Sequence, residues 1–284
     1  MNARRGSILN QLLRELPAGY VVDTEWLRAL GVSASSVRDY VERHWLERLA
    51  PRLYGRDAER EGQGVRWEAA LLSLQNLLGE PIHVGGLTAL ELAGYWQYAI
   101  LGRRQLWIYS DSRRARSILE RLSMTADPSL RSRKLFGEPE LGVETRPLDL
   151  VTTTLGPATS SGSDAPTHNQ MLRVSSLERA ILEVLDEVPR TVGFEHAAQL
   201  FEGLTTLRPK LTSSLLESCR SVKAKRLFLY FAGQHSYAWV RAIKRTEIDL
   251  GSGKRQIVAG GRLDPEYNIT VPAEGRPAQP RAAR

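Results

Sequence analysis

The sequence has almost no cysteine, since Cys219 is the only one in 284 residues. A single cysteine excludes an internal disulfide and any metal site built from several thiolates. Cys219 follows Leu215 and Leu216 with helical spacing, so we expect a packed thiol and not a nucleophile. So little cysteine suits a reducing compartment, and we expect a cytoplasmic protein.

Long apolar runs are also missing. No stretch approaches the roughly 18 consecutive apolar residues that a membrane-spanning helix needs. The first residues, Met1–Arg5, are basic but lead into neither a long apolar core nor a small-residue cleavage site. We therefore predict no signal peptide and expect no membrane partner.

The sequence lacks the patterns that carry catalysis or hold a cofactor. Its five histidines never pair at i, i+4 and have no cysteine companions, which argues against a zinc site. The run Gly251–Lys254 superficially resembles a phosphate-binding loop. Ile248 stands where that motif needs a glycine, however, and Arg255 stands where it needs serine or threonine. We predict no catalytic residue, no metal and no cofactor, and we do not expect an enzyme.

What the sequence does contain is the pattern of a helix-turn-helix, beginning near residue 22. Asp23 and Thr24 are residue types that start helices, and Gly31 is the type that ends one. Ser33 or Ser35 can then cap a second helix. The apolar side chains of that helix recur with helical spacing and are expected to face a core: Val37, Tyr40, Val41 and Trp45. Its opposite face is polar and partly cationic, carrying Ser35, Ser36, Arg38, Asp39, Glu42 and Arg43.

A β-hairpin is predicted directly after the second helix. Residues 45–49 alternate apolar with polar side chains, as a half-buried strand does, and Leu53 and Tyr54 can form the return strand. Residues 50–52 would make a tight tip that carries the cation Arg52. This order is typical of an element that enters the major groove while a wing touches phosphate. Helix pairs of this kind also occur in folds that never bind DNA, and Asp39 and Glu42 oppose phosphate.

The rest of the chain mixes helical and strand patterns, so we predict a mixed α/β (α+β) protein. Strands are expected at 105–109, 141–146 and 171–174, and a capping box of Ser175 and Glu178 is expected to start a helix that Pro189 ends. Further helices are expected at 194–203, 210–221 and 226–233. We place a winged helix-turn-helix in residues 1–80, a larger mixed α/β domain in 81–271 and a disordered tail in 272–284, with a flexible loop at 156–167.

The charge of +7 is not concentrated in the predicted DNA-binding segment. Residues 103–134 hold nine basic and three acidic side chains, and residues 211–284 hold thirteen and six. If they converge in space, three basic groups would form an anion-binding surface: Arg113, Arg114 and Arg116; Lys223, Lys225 and Arg226; Lys254 and Arg255. Such a surface would bind a separate acidic partner or add non-specific affinity for the same DNA. Ordinary solvated charges explain the groups as well.

Several separated motifs, in the same order, resemble the AbiEi-type antitoxins of type IV toxin–antitoxin (abortive infection) systems. Together they span nearly the whole chain apart from its tail. These motifs are RLYG at 52–55, HVGGLTAL at 83–90, SLERAILEVLDEVP at 176–189, ESCRSVKAKRLFL at 217–229 and GGRLDPEYNITVP at 260–272.

The resemblance implies a winged helix-turn-helix that binds inverted repeats in the promoter of its own operon and represses it. It also implies a C-terminal domain that counteracts a nucleotidyltransferase-like toxin without forming a stable complex with it. The residues that match the DNA-reading face are Ser35, Ser36, Arg38, Asp39 and Arg43, with Arg52 at the wing. Two monomers binding cooperatively would suit inverted repeats.

An alternative from another class stays open at this point. The protein can be an interaction module whose basic C-terminal domain binds a protein or RNA, with the N-terminal domain serving as a docking unit. The two interpretations differ in which part of the chain binds promoter DNA.

Overall fold

The computed structural model describes residues 2–56, 64–95, 103–150, 153–156 and 170–273, with side chains from residue 7 onward. The chain is mixed α/β, as predicted, and divides into two compact units. The first unit comprises residues 1–84, 98–133 and 144–174, and the second comprises 85–97, 134–143 and 175–284. Most of the predicted loop at 156–167 and of the tail at 272–284 lies outside the described residues.

The first unit begins with helices that the local sequence specifies closely. α1 spans Asn2–Glu15, β1 Val21–Asp23, α2 Thr24–Ala29 and α3 Ala34–Glu42. Asp23 caps α2 by accepting a hydrogen bond from the backbone N–H of Trp26 at 2.9 Å, and Ser33 caps α3. Between them Gly31 has φ +87°, a conformation that glycine adopts without steric cost. The predicted caps and turn are confirmed.

The hairpin follows as predicted, with β2 at Glu47–Ala50 and β3 at Leu53–Gly55. β3 lies between β1 and β2 and is antiparallel to both. Leu53, in this central strand, is fully buried. Helix, strand, two helices and a hairpin in this order have the connectivity of a winged helix-turn-helix, with β2 and β3 as the wing.

A six-stranded sheet completes the first unit, and its strands come from distant parts of the chain. α4 (Trp67–Leu72) runs into a π-helical turn at residues 73–77, and α6 spans Arg113–Arg121. The strands lie in the order β6-β5-β4-β9-β7-β8. Their bounds are β4 His83–Val84, β5 Gln105–Tyr109, β6 Asp127–Arg131, β7 Val143–Asp149, β8 Thr154–Leu155 and β9 Met171–Ser175.

Helical elements of the first unit contact the winged segment through a hydrogen bond and an ion pair. The N–H of Val21 in β1 donates to Ser73 Oγ at 2.9 Å, and Arg114 of α6 binds Asp23. The compact units thus divide the chain differently from a boundary near residue 80. That residues 1–80 and 81–271 are separate domains stays a prediction.

The second unit is mainly helical and packs around α7 (Leu177–Asp186). Its other elements are α5 Gly86–Leu92, α8 Phe194–Glu202, α9 Pro209–Ser218, α10 Val222–Ala232, α11 Ala238–Arg241, β10 Arg262–Asp264 and β11 Ile269–Val271. The predicted capping box is wrong. Ser176 caps α7, whereas Ser175 ends β9 and its hydroxyl donates to Glu183 Oε2 at 2.8 Å.

A buried ion pair holds the centre of this unit. Arg179 Nε donates to Glu183 Oε1 at 2.8 Å, and both side chains are fully buried. Glu183 also accepts from the N–H of Gly86 at the start of α5. Charges this deep are tolerated only when they are paired and hydrogen-bonded, so the pair fixes how α5 and α7 meet.

We predict that Glu183→Gln strongly destabilises the protein, because it leaves the Arg179 guanidinium buried without a counter-charge. The loss in the free energy of unfolding should be about 3–5 kcal/mol, as for other broken buried pairs. Urea unfolding followed by circular dichroism measures it. The control is Glu195→Gln, at an exposed position of α8, which should change stability by less than about 0.5 kcal/mol. Equal effects of the two substitutions would contradict this role of the pair.

Candidate nucleic-acid interface

The N-terminal end of α3 presents the polar residues that the sequence singles out. Ser35 and Arg38 are exposed, Ser36 is half-buried, and the buried side chains of Val37 and Tyr40 fix the opposite side of the helix. This end of a recognition helix is the one that contacts base edges in known complexes. Ser35 and Arg38 therefore lie on the exposed side of α3, near its first turn.

Three hydroxyls cluster at this helix start, and one of them is structural. Ser33 Oγ accepts from the N–H of Ser36 at 3.1 Å and lies 2.9 Å from both Ser35 Oγ and Ser36 Oγ. Ser33 satisfies a backbone donor that α3 itself leaves open. Ser35 caps no backbone donor; it is exposed, and its hydroxyl is hydrogen-bonded to that of Ser33.

Asp39 and Arg43 pair with each other on the exposed face of α3. Arg43 Nε donates to Asp39 Oδ1 at 2.9 Å, and the guanidinium lies 5.4 Å from the ring centroid of Trp45. The Arg43 guanidinium offsets the negative charge of Asp39, a charge that by itself would repel phosphate. It also holds the Arg43 side chain in one place.

The prediction that Trp45 faces the core is wrong. α3 ends at Glu42, and His44 has φ +59°, so Trp45 no longer follows the helical repeat. Its side chain is 36% exposed, and Leu46 takes the buried position beside the helix. Val41 is only half-buried. A helical pattern extrapolated past the true end of a helix places later residues on the wrong side.

The tip of the wing carries an exposed Arg52. Its backbone has φ +64°, and its carbonyl oxygen accepts from the N–H of Thr24 at 3.2 Å, which ties the tip to the start of α2. The guanidinium of Arg121 in α6 donates to the carbonyl oxygen of Pro51 at the same tip. No local pattern pointed to Arg121, because 70 residues separate it from Pro51.

Of the basic residues at the start of α6, Arg113 and Arg116 are exposed and Arg114 is engaged internally. Arg114 Nη2 lies 2.7 Å from Asp23 Oδ2, and Nη1 lies 3.3 Å from Glu80 Oε1. Burial alone would lower the pKa of Arg114, but the hydrogen bond and charges of these carboxylates outweigh it and raise the pKa. Arg114 is a bound counter-ion for Asp23 and Glu80.

The second basic group does not form a surface. Lys223, Lys225 and Arg226 were expected between two helices, but α10 begins at Val222 and includes all three. Lys225 and Arg226 are buried, and the Lys223 ammonium donates to the carbonyl oxygens of Asp186 and Val188. Lys223 and Arg226 satisfy backbone carbonyls and Lys225 is buried, so this group is not available to an outside anion.

Arg226 makes the most extensive of these contacts. Its guanidinium donates to four carbonyl oxygens, at distances from 2.6 to 3.3 Å, those of Leu250, Gly251, Gly253 and Asn268. Lys254 and Arg255 of the third group are exposed. They belong to the second unit and the α6 group to the first, so a surface that combines these two groups, without the second, stays a prediction.

Nothing in the described ranges resembles a metal site, since no three His, Cys, Asp or Glu side chains come together in a suitable way. Among these same residues, every helix is too short or too polar to span a bilayer. Cys219 is 2% exposed, and burial raises the pKa of its thiol to about 11. The predicted packed thiol is confirmed.

Comparison with known families identifies the chain. A family described as "Transcriptional regulator, AbiEi antitoxin, Type IV TA system" matches residues 143–272. A second, "Transcriptional regulator, AbiEi antitoxin N-terminal domain", matches residues 5–101. The chain belongs to the AbiEi antitoxin family. The resemblance drawn from the sequence motifs is confirmed, and with it the broad role of antitoxin and transcriptional regulator, which implies DNA and a toxin as partners.

Among solved structures, the chain is similar to the crystal structure of the RV2827C protein from Mycobacterium tuberculosis. The identity is 14%, the match covers 92% of this chain and 89% of that one, and the TM-score is 0.47. No curated protein matches this AbiEi chain.

We predict that Ser33→Ala and Ser35→Ala differ in their effect on stability. Ser33→Ala removes the cap of α3 and should lower the free energy of unfolding by about 1 kcal/mol, within the usual range for such caps. Ser35→Ala, at an exposed position in the same cluster, is the matched control and should leave it nearly unchanged. Urea unfolding of the two variants distinguishes them. A larger loss for Ser35→Ala would reassign the cap.

Proposed function

We propose that this AbiEi antitoxin represses its own operon by binding inverted repeats in the promoter through α3 and the wing. The observation that carries the proposal is the joint exposure of Ser35 and Arg38 on α3 and of Arg52 on the wing tip, all within one compact unit. A recognition helix and a wing held together in this way contact bases and phosphate together.

Each side chain has a distinct role in this proposal. Arg38 reaches the major groove and pairs with guanine, whose O6 and N7 accept both guanidinium hydrogens. Ser35 and Ser36 contact neighbouring base edges from the start of the helix. Arg52 contacts a phosphate and sets the register of the protein on the duplex. Arg43 contacts a second phosphate while Asp39 orients it, since the two are already paired.

The antitoxin role rests on the part of the chain that matches the type IV family, residues 143–272. We propose that this part counteracts a nucleotidyltransferase-like toxin without a stable complex, in the cytoplasm of a cell that uses the pair against phage. Two copies of the protein bind one operator cooperatively. Each copy occupies one half of the inverted repeat, which fits a protein that reads DNA through one helix.

One prediction from this proposal concerns affinity for the promoter. Arg38→Ala should cost about 1–3 kcal/mol in binding the promoter duplex and relax specificity at one base pair. Arg52→Ala should weaken the promoter and a scrambled duplex alike, and lower the salt slope of log K by about 1. Mobility-shift titrations over a salt series measure both. Arg220→Ala, at an exposed position of the second unit, is the control and should bind as wild type.

Two results would contradict the DNA-reading assignment. Equal, steeply salt-dependent binding of the wild type to promoter and scrambled duplex would mean that the net charge alone attracts DNA. A changed base preference in Arg52→Ala would refute its phosphate role.

A second prediction separates the two activities. Arg38→Ala should abolish repression of a promoter–reporter fusion but still rescue cells that express the cognate toxin, because Arg38 lies outside the type IV match. Growth and reporter output are measured in the same strain. Loss of both activities in a variant that is folded and as abundant as wild type would mean that neutralisation depends on DNA binding.

A further inference from the structure

The carboxylate of Asp23, in the first unit, contacts both α2 and α6. Asp23 Oδ1 accepts from the backbone N–H of Trp26 and so caps α2, while Oδ2 accepts from Arg114 Nε, each at 2.9 Å. Asp23 is 7% exposed, so solvent contributes little to its charge balance. The start of α2 therefore has a fixed position relative to the start of α6.

The contact continues on the α6 side. Arg114 Nη1 binds Glu80, which is also 7% exposed, and Glu80 accepts a hydrogen bond from Ser112. Ser112 is the N-cap of α6, accepting from the N–H of Ala115 at 3.1 Å. The caps of α2 and α6 are thus connected through the Arg114 guanidinium, which binds Asp23 directly and reaches Ser112 through Glu80.

The other end of α6 contacts the wing. Arg121, the last residue of α6, donates to the carbonyl oxygen of Pro51, beside the exposed Arg52. Since Arg114 and Arg121 are seven residues apart on α6, their Cα atoms lie about 10 Å apart along the helix axis. α6 therefore braces the start of α2 and the wing tip, which are also joined directly by the hydrogen bond from the Thr24 N–H to the Arg52 carbonyl oxygen and by the pairing of β1 with β3.

We propose that α6 is a positioning element for DNA recognition, in which Arg114 and Arg121 set the angle between the helix pair and the wing without contacting DNA. The proposal rests on the proposed DNA-binding function. It assigns a role in specificity to two arginines that lie outside the helix-turn-helix. Base readout requires α3 and Arg52 to reach their targets simultaneously, whereas general attraction to phosphate does not.

The test is binding of full-length Arg114→Met and Arg121→Ala to the promoter and to a scrambled duplex over a salt series. We expect promoter affinity to fall about tenfold, the size of one lost base contact, while scrambled-duplex affinity stays within about twofold. The salt slope should not change, because no phosphate contact is lost. Arg113→Ala, exposed on the same helix, removes the same charge and should not lower the preference for the promoter.

Two outcomes would overturn the proposal. Unchanged promoter preference in both variants would mean that α6 does not set the geometry. A salt slope lower by about 1, with both duplexes weakened, would mean that the arginines contact phosphate directly.

Asp23→Asn guards against a general folding defect, because asparagine caps helices as well as aspartate but lacks the charge that holds Arg114. It should reproduce the loss of promoter preference. The double variant Asp23→Asn/Arg114→Met should lose no more than the more affected single variant, since both act through one contact. Additive losses would overturn the proposal.

Hydrogen exchange of the free protein separates this proposal from the DNA-binding function. Peptides from residues 21–56 should exchange faster in Arg114→Met than in Arg113→Ala, while peptides from 177–232 should not differ. Equal exchange at 21–56 would overturn the positioning role even if the wild type reads its promoter. A wild type without promoter preference would instead refute the proposed function.

Discussion

The carboxylate of Asp23 is the point at which local and long-range structure meet in the first unit. Its first oxygen satisfies a backbone donor three residues ahead, which any capping residue would do. Its second oxygen binds a guanidinium 91 residues away, which only a charged cap does well. The start of α2 is therefore held in place by a residue that lies far outside the winged segment of the chain.

Much of this arrangement can be predicted from sequence because it is encoded locally. The cap at Asp23, the turn at Gly31 and the tip before Leu53 all depend on residues a few positions apart. The family resemblance, which the comparisons confirm, also rests on short contiguous motifs. Local physics is sufficient for such features, since they require no knowledge of what packs above them.

The features that the sequence did not reveal each depend on a distant partner or on a backbone angle. Trp45 was placed in the core because nothing in the periodicity signals the positive φ of His44. Arg226 was placed between two helices as part of a possible anion-binding surface, yet it is buried within α10, where loop carbonyls far along the chain accept from its guanidinium. Arg121 belongs to none of the sequence motifs, and its contact with the wing is visible only in the three-dimensional structure.

The charge that α3 and the wing present also differs from a residue count. The ion pair of Asp39 and Arg43 contributes no net charge, and Arg114 is balanced by two buried carboxylates. Exposed arginines remain on the helix at Arg38, on β2 at Arg48 and on the tip at Arg52. The free positive charge of this segment is therefore smaller than its number of arginines suggests.

The carbonyl contacts of Arg226 have a consequence for how this chain can vary between species. A guanidinium that binds only main-chain oxygens fixes the path of the loop without contacting its side chains. Positions such as Gly251 and Gly253, which have positive φ, still favour glycine. Substitutions at exposed positions of the loop, such as Lys254, can accumulate without disturbing the path. Lysine at position 226 cannot replace the planar fork that reaches four acceptors.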